Sequence, residues 1–265
     1  PVAKLALNNS VPPILMASLR MGLVLIILIP FWKFKIPEKK YLQPLFAFSI
    51  SMGVLVYVFM NLSLKYSDFI SPIIIGSQLA IPFGVLASSL MIGENISLKK
   101  WFFVFTALMG IVIVFFDPTL KNNLLGLFYA TLMAFFFALA QVYSRKLRDL
   151  NIATINAFTG VFGFFILILI SFFIEGNILK NIININSESW LLIGYQAVIV
   201  SLFAHMSMFY LYKFYTVGRI FPFYSLFPIF GIILTFLIFG EVPTIMFLVG
   251  GIIVISSVIL LQKKD

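Results

Sequence analysis

The 265-residue chain has no cysteine, a single histidine (His205) and nine acidic residues, and only 10% of its residues are charged. Without cysteine it has no disulfide, thiolate metal site or redox pair. One histidine cannot build a metal centre, and no HExxH spacing occurs, so neither a metal nor a cofactor is expected. A soluble domain carries about a quarter of its residues as charges, so this composition cannot clothe a water-facing surface. In place of charge there is hydrocarbon: 62% of the residues are hydrophobic and the mean hydropathy is +1.12.

Long apolar runs lie at about 12–32, 42–64, 69–92, 98–116, 122–146, 152–174, 188–213, 217–240 and 243–261. Nine runs of this length predict membrane-crossing helices. A β-barrel would show short alternating segments of about ten residues and is excluded. The opening "PVAKLALNNS" is too short to span and reads as the tail of a further helix, largely missing from this chain. The expected fold is therefore all-α and polytopic, with ten transmembrane helices. Only 175–189 leaves a loop long enough for structure of its own.

Basic residues set the expected orientation. With the start taken as cytoplasmic, thirteen Lys and Arg fall in inner loops and the tail, and only Lys65, Lys121 and Lys180 in outer ones. This positive-inside asymmetry predicts a multi-pass protein of the cytoplasmic membrane with both termini inside. It also accounts for most of the net +9 charge without nucleic acid, leaving lipid and a small-molecule substrate as partners. Oligomeric state does not follow from the sequence.

The chain repeats itself weakly but in order. "FGVLASSLMIGENISLKKW" (83–101) matches "GIILTFLIFGEVPTIMFLV" (231–249), aligning Gly93-Glu94 with Gly240-Glu241 at an offset of 147. "SPIIIGSQLAIP" (71–82) parallels "FPFYSLFPIF" (221–230), and "KLALNNSVPPI" (4–14) can be laid on "KLRDLNIATIN" (146–156). The halves are expected at 1–121 and 122–265, each with five helices. An odd number of crossings puts them into the membrane with opposite orientation, an architecture used by secondary transporters around a central site.

With these residues in view, the sequence resembles the EamA family of the drug/metabolite transporter superfamily. "KLALNNSVPPILMASLR" (4–20), the two Gly-Glu turns, and the prolines Pro72, Pro82, Pro222 and Pro228 carry the resemblance. It departs in lacking most of helix one and in having Ser257 where the first half has Gly110. The resemblance implies a ten-helix exporter or importer of amino acids, related metabolites, nucleotides or drugs, without choosing among them.

No acidic residue is placed at mid-depth, so proton coupling through a buried carboxylate is not expected; facilitated diffusion, exchange or coupling through His205 alone remains. Glu94 and Glu241 read as helix-terminus stabilisers in preference to ion ligands, with Ser97 and Thr244 as N-caps. Mid-span polar residues supply the substrate candidates. Gln78 and Tyr224, with Ser225 beside it, follow Pro72 and Pro222 in matching helices. His205 lies about 12 Å from the end marked by Lys213, at a depth matched by Tyr57. Asn61 is weaker, as are Gln141 and Gln196, because such groups also serve as interhelical glue. Pro72, Pro82, Pro222 and Pro228 are the candidate helix bends.

Arg20 stands about 12 Å from the outer end of its helix, too deep for easy snorkelling, and should face the bundle. Its counterpart in the second half is the apolar Phe162. Arg20, with Lys4, either attracts a substrate carboxylate or phosphate or ties helix ends together in a gating role. No catalytic residue is assigned. The expected function is a secondary transporter moving a small polar metabolite, foremost an amino acid or derivative, outward or in exchange by alternating access. The rival classes are an intramembrane enzyme acting on lipid or a lipid-linked substrate, and a non-transporting membrane subunit.

Overall fold

A computed structural model describes residues 1–31, 37–93, 95–204, 207 and 227–262, and the described residues form helices and no strands. A short helix α1 (Val2–Asn8) precedes α2 (Pro13–Leu28) and α3 (Lys39–Lys65). The third apolar run is broken into α4 (Ser71–Ser77) and α5 (Ala80–Ile92). There follow α6 (Leu98–Phe115), a 3-10 turn (Pro118–Asn123), α7 (Leu124–Lys146) and α8 (Ile152–Glu175). The long loop holds α9 (Ile178–Ile183), and α10 (Ser187–Ala204), α11 (Phe227–Phe239) and α12 (Ile245–Gln262) complete the described helices. Each apolar run of the sequence thus contains helix. Among the described residues six segments have both the length and the apolarity to cross a bilayer, with three shorter apolar helices besides. Outward faces carry Phe102, Phe105, Phe165, Phe173 and Ile174, all more than half exposed. Such surfaces suit lipid: the protein is a multi-pass helical membrane protein.

Asparagine side chains start three consecutive helices. Asn151, Asn177 and Asn186 accept from Ala153 N, Lys180 N and Ser189 N respectively, filling backbone donors that a helix start leaves unpaired. Gly93, Gly176 and Gly240, which close α5, α8 and α11, take positive φ, where a side chain would strain the backbone.

The helices pack as two compact units. The first comprises Pro1, Ser63–Leu139 and Leu211–Asp265; the second comprises Val2–Leu62 and Ala140–Tyr210. Each draws helices from both halves of the sequence, so the halves interleave in packing.

In the first unit, α6 lies along α12. The two helices are equivalent in the repeat: adding the 147 offset to Leu98 and Phe115 gives Ile245 and Gln262, the bounds of α12. A Cβ on Gly110 would lie 2.9 Å from the Gly250 carbonyl oxygen, and one on Gly250 only 2.6 Å from that of Gly110. Ser257, which replaces glycine in the second copy, meets the Thr106 hydroxyl at 2.8 Å. Around this crossing Val104, Ile111, Val114, Val254 and Val258 are buried in one apolar cluster. Thr244 caps α12, its hydroxyl oxygen accepting from Phe247 N, and it donates to Asp117. Burial, the largest influence on Asp117, works against its charge. Donation by the Thr244 and Thr119 hydroxyls and the Thr119 amide outweighs it, holding Asp117 below the ordinary carboxylate pKa.

In the second unit, α2 lies along α8, the pair related by the match of 4–14 with 146–156. Ser18 donates to the Phe164 carbonyl at 3.1 Å, and Ile14, Ala17 and Met21 pack with Leu167. Two helices of this unit widen into π-turns, at Ser51–Leu55 in α3 and Gln196–Ala204 in α10. Adding 147 to the first stretch gives 198–202, inside the second, so the irregularity recurs at one place in the repeat.

Candidate functional site

Two carboxylates hold the starts of neighbouring helices, one in each unit. In the second unit Glu175 Oε1 accepts from Ile14 N at 2.7 Å, and Oε2 from Leu15 N and the Ser171 hydroxyl, both at 2.8 Å. The sequence dictates this geometry. Pro12 and Pro13 have no N–H, so Ile14 and Leu15 are the donors left over at the start of α2, and Glu175 takes both. In the first unit Glu241 Oε1 accepts from Ile70 N at 2.7 Å; its Oε2 accepts from Ser71 N at 3.0 Å and the Ser71 hydroxyl at 2.9 Å. Glu241 therefore serves the start of α4, while α12 has Thr244. A cleft of about 180 Å³ adjoins this joint, walled by Phe69 and Phe247. Its polar groups Ser71, Thr119, Glu241 and Thr244 already bond one another or Asp117 and the backbone. The cleft is part of a helix joint, not a poised ligand site.

Gln78 is different. It sits at the break between α4 and α5, in the first unit, and is 2% exposed. Pro82 explains the break: it cannot donate to the carbonyl of Gln78 four residues earlier, and its ring crowds that carbonyl. The chain tightens instead, with Gln78 N bonding Ile75 O, Leu79 N bonding Gly76 O and Ile81 N bonding Gln78 O. The side chain gains no such compensation, since both Oε1 and Nε2 are buried without a hydrogen-bond partner. Pro72 lies in the first turn of α4, where a missing N–H costs nothing, and Pro228 in the first turn of α11 as described. Tyr224, Ser225, His205, Pro222 and Glu94 lie outside the described residues.

The second unit brings together Arg20, Tyr57, Asn61 and Ser201. Arg20 is 5% exposed, with its guanidinium carbon 4.6 Å from the Tyr57 ring centroid and Nε donating to Ser201 Oγ at 2.9 Å. Tyr57 follows the π-turn of α3, and Ser201 lies within that of α10. Such turns recur at functional sites because they displace side chains from regular helical positions. Asn61, one helical turn beyond Tyr57, donates to the Pro13 carbonyl at 2.8 Å, while its buried Oδ1 has no partner. Phe162, the sequence counterpart of Arg20, packs edge-on against Phe46 with centroids 5.3 Å apart. Lys4, on α1, is half-buried. Gln196 is buried and donates to the Leu192 carbonyl in its own helix. Sequence reasoning did not single out Ser201 or the clamp made by Glu175. The signals were the i, i+4 spacing of Ser201 and His205 and the Glu-Gly pair at 175–176.

Polar groups isolated inside apolar spans are features by which a membrane transporter can meet its solute. The sequence profile of the EamA-like transporter family matches residues 1–116 and 124–262, and the chain belongs to that family. No curated protein matches the sequence significantly. A solved structure titled "Crystal structure of protein" is similar in fold, with a TM-score of 0.63 and 17% identity, over 98% of this chain and 93% of that one.

Proposed function

We propose that the protein is a secondary transporter that moves a small polar metabolite, foremost an amino acid or derivative, across the cytoplasmic membrane by alternating access, as an exporter or exchanger. It is not an enzyme in this reading. The observation that carries the proposal is Gln78: an amide buried inside an apolar span with neither donor nor acceptor used. Leaving such a group unpaired costs about 1–3 kcal/mol, a cost recovered when a passing solute supplies both partners. The break imposed by Pro82 puts this amide on the part of the helix best able to bend. In the second unit Asn61, whose buried acceptor oxygen has no partner, is a separate candidate contact for an N–H donor. Tyr224, Ser225 and His205 are proposed as substrate contacts on their sequence positions alone.

Gln78→Leu and Gln78→Ala separate this reading from a structural role. Leucine removes two unpaired polar atoms, so the variant should unfold at a slightly higher temperature than the wild type. Its radiotracer flux in proteoliposomes should show a KM raised about tenfold, as should that of the alanine variant. Unchanged affinity removes Gln78 from the site. Absence of saturable, competable flux for every member of a metabolite panel refutes the carrier reading itself.

Orientation has its own test, eased by the lack of native cysteine. Single cysteines replacing Glu38 and Lys180 should label from the cytoplasmic and external sides respectively. The reverse labelling overturns the proposed topology.

A further inference from the structure

We infer that Arg20 forms the anion-binding half of a substrate site, and that the transported solute carries a carboxylate. The inference rests on the transporter reading and adds the chemical class of its cargo. The juxtaposition behind it is specific. Arg20 is almost wholly buried on α2, inside an apolar span. Among the described residues no carboxylate lies within ion-pair distance of it. One face of its guanidinium is covered by the Tyr57 ring, and Nε is engaged by Ser201 Oγ.

These two contacts fix the group without neutralising it. Tyr57 supplies the attraction of a ring face for a cation, and Ser201 supplies one neutral acceptor. Neither carries a formal negative charge, and a buried cation without a counter-charge is costly. The positions of the contacts also determine what is left. With Nε occupied, the side edge of the guanidinium is taken. The end edge, formed by the two terminal nitrogens, has no acceptor among the described residues. Two parallel N–H groups on that edge match the two oxygens of one carboxylate. The charge then balances one to one.

A scaffold role predicts something else. An arginine that ties helix ends together spends its terminal nitrogens on backbone carbonyls; among the described residues its hydrogen bond leaves from Nε to a hydroxyl. The repeat makes the same point. Its counterpart Phe162 fills an equivalent sequence position with apolar packing alone, so the fold at this position does not require a charge. The π-turns in α3 and α10 are the local irregularities beside Tyr57 and around Ser201.

The test uses the full chain in detergent and in proteoliposomes. Phenylglyoxal modifies arginine, and peptide mass spectrometry reads Arg20 apart from Arg145, Arg148 and Arg219. The probes are the common amino acids and short keto and dicarboxylic acids, each beside its carboxamide, with organic phosphate esters as a third set. At least one carboxylate should slow modification of Arg20 about tenfold or more, while its carboxamide does not. Saturable flux of that carboxylate should fall about 10- to 100-fold in Arg20→Gln, with Arg20→Lys intermediate. Because protection is read on the wild type, failure of a variant to fold does not spare the proposal. No protection by any carboxylate, equal protection by carboxamides, or protection by phosphate esters alone overturns it. Saturable flux without carboxylate preference leaves the transporter reading standing and removes the anion site. Protection of Arg20 without flux of any solute removes the transporter reading and, with it, the claim that the bound carboxylate is cargo.

Discussion

Glu241→Ala should lower the thermal unfolding midpoint by about 10 °C, one of the two largest effects expected of any single substitution here. The carboxylate is 7% exposed and receives three hydrogen bonds, two from the backbone at the start of α4 and one from the Ser71 hydroxyl. Hydrogen bonds to a charged group contribute about 1.5–3 kcal/mol each, and buried donors left unmet cost about 1–3 kcal/mol each. Alanine leaves the amides of Ile70 and Ser71 without their carboxylate acceptor, and water from the adjoining cleft can replace it only in part. Shared desolvation makes these terms overlap, so a total of about 3–5 kcal/mol is the reasonable sum. Glutamine is the discriminating control. Its one oxygen can still accept from Ile70 N, but its NH₂ would face Ser71 N, donor against donor. Glu241→Gln should therefore fall between wild type and alanine. Thermal unfolding followed by intrinsic fluorescence in detergent reads all three, and an alanine variant within 2 °C of wild type would show that the clamp is not a stability element.

The clamps also show where sequence reasoning stops. Helix positions were legible because a bilayer demands about 20 apolar residues per crossing, and each apolar run contains helix. The break at Gln78 was legible in outline, since Pro82 removes one defined backbone bond. Glu241 was legible as a helix-terminus residue, yet the terminus it serves belongs to α4, 170 positions away in sequence from Ser71. Nothing local encodes that pairing: the helix that follows Glu241 is already capped by Thr244. Glu175 was harder still. Its role depends on what Pro12 and Pro13 cannot donate, so the signal lies in another helix and is an absence. The π-turns have no compositional mark at all. They became visible only because two helices related by the repeat widen at the same place. Arg20 lies between these cases. That a mid-span charge must face inward follows from solvation alone. That it rests on Tyr57, and that Ser201 among many serines takes its Nε, are facts of three-dimensional packing.

Gly250→Leu should be at least as damaging as loss of the Glu241 carboxylate, and for an opposite reason. Between two helices in hydrocarbon there is little hydrophobic gain from association, because lipid tails are as apolar as leucine; close backbone contact and dispersion hold the pair. The α6–α12 crossing depends on that closeness. Even the first carbon of a side chain at Gly250 would lie 2.6 Å from both the Gly110 carbonyl oxygen and a Val114 methyl. The methyl can yield, but the oxygen is backbone within α6 and moves only if the helix does. Pushing the helices apart forfeits contacts along the whole seam, including the Thr106–Ser257 hydrogen bond and the buried valines around it. Overpacking costs about 1–3 kcal/mol where side chains can adjust, and more where backbone must shift. The expected result is a fall of about 10 °C or more in the unfolding midpoint, or failure to purify as a folded protein. Gly250→Ala should show a smaller loss of the same sign, which keeps the test readable if leucine does not fold. Gly84→Ala is the matched control: it is also a helical glycine, but a Cβ there meets nothing within 4 Å. With no clash to relieve, the alanine should be neutral or stabilising by about 0.5–1 kcal/mol through helix propensity. Equal destabilisation by Gly84→Ala and Gly250→Ala would mean that glycine at 250 is tolerated for its flexibility, and that the tight α6–α12 crossing is not what holds this unit together.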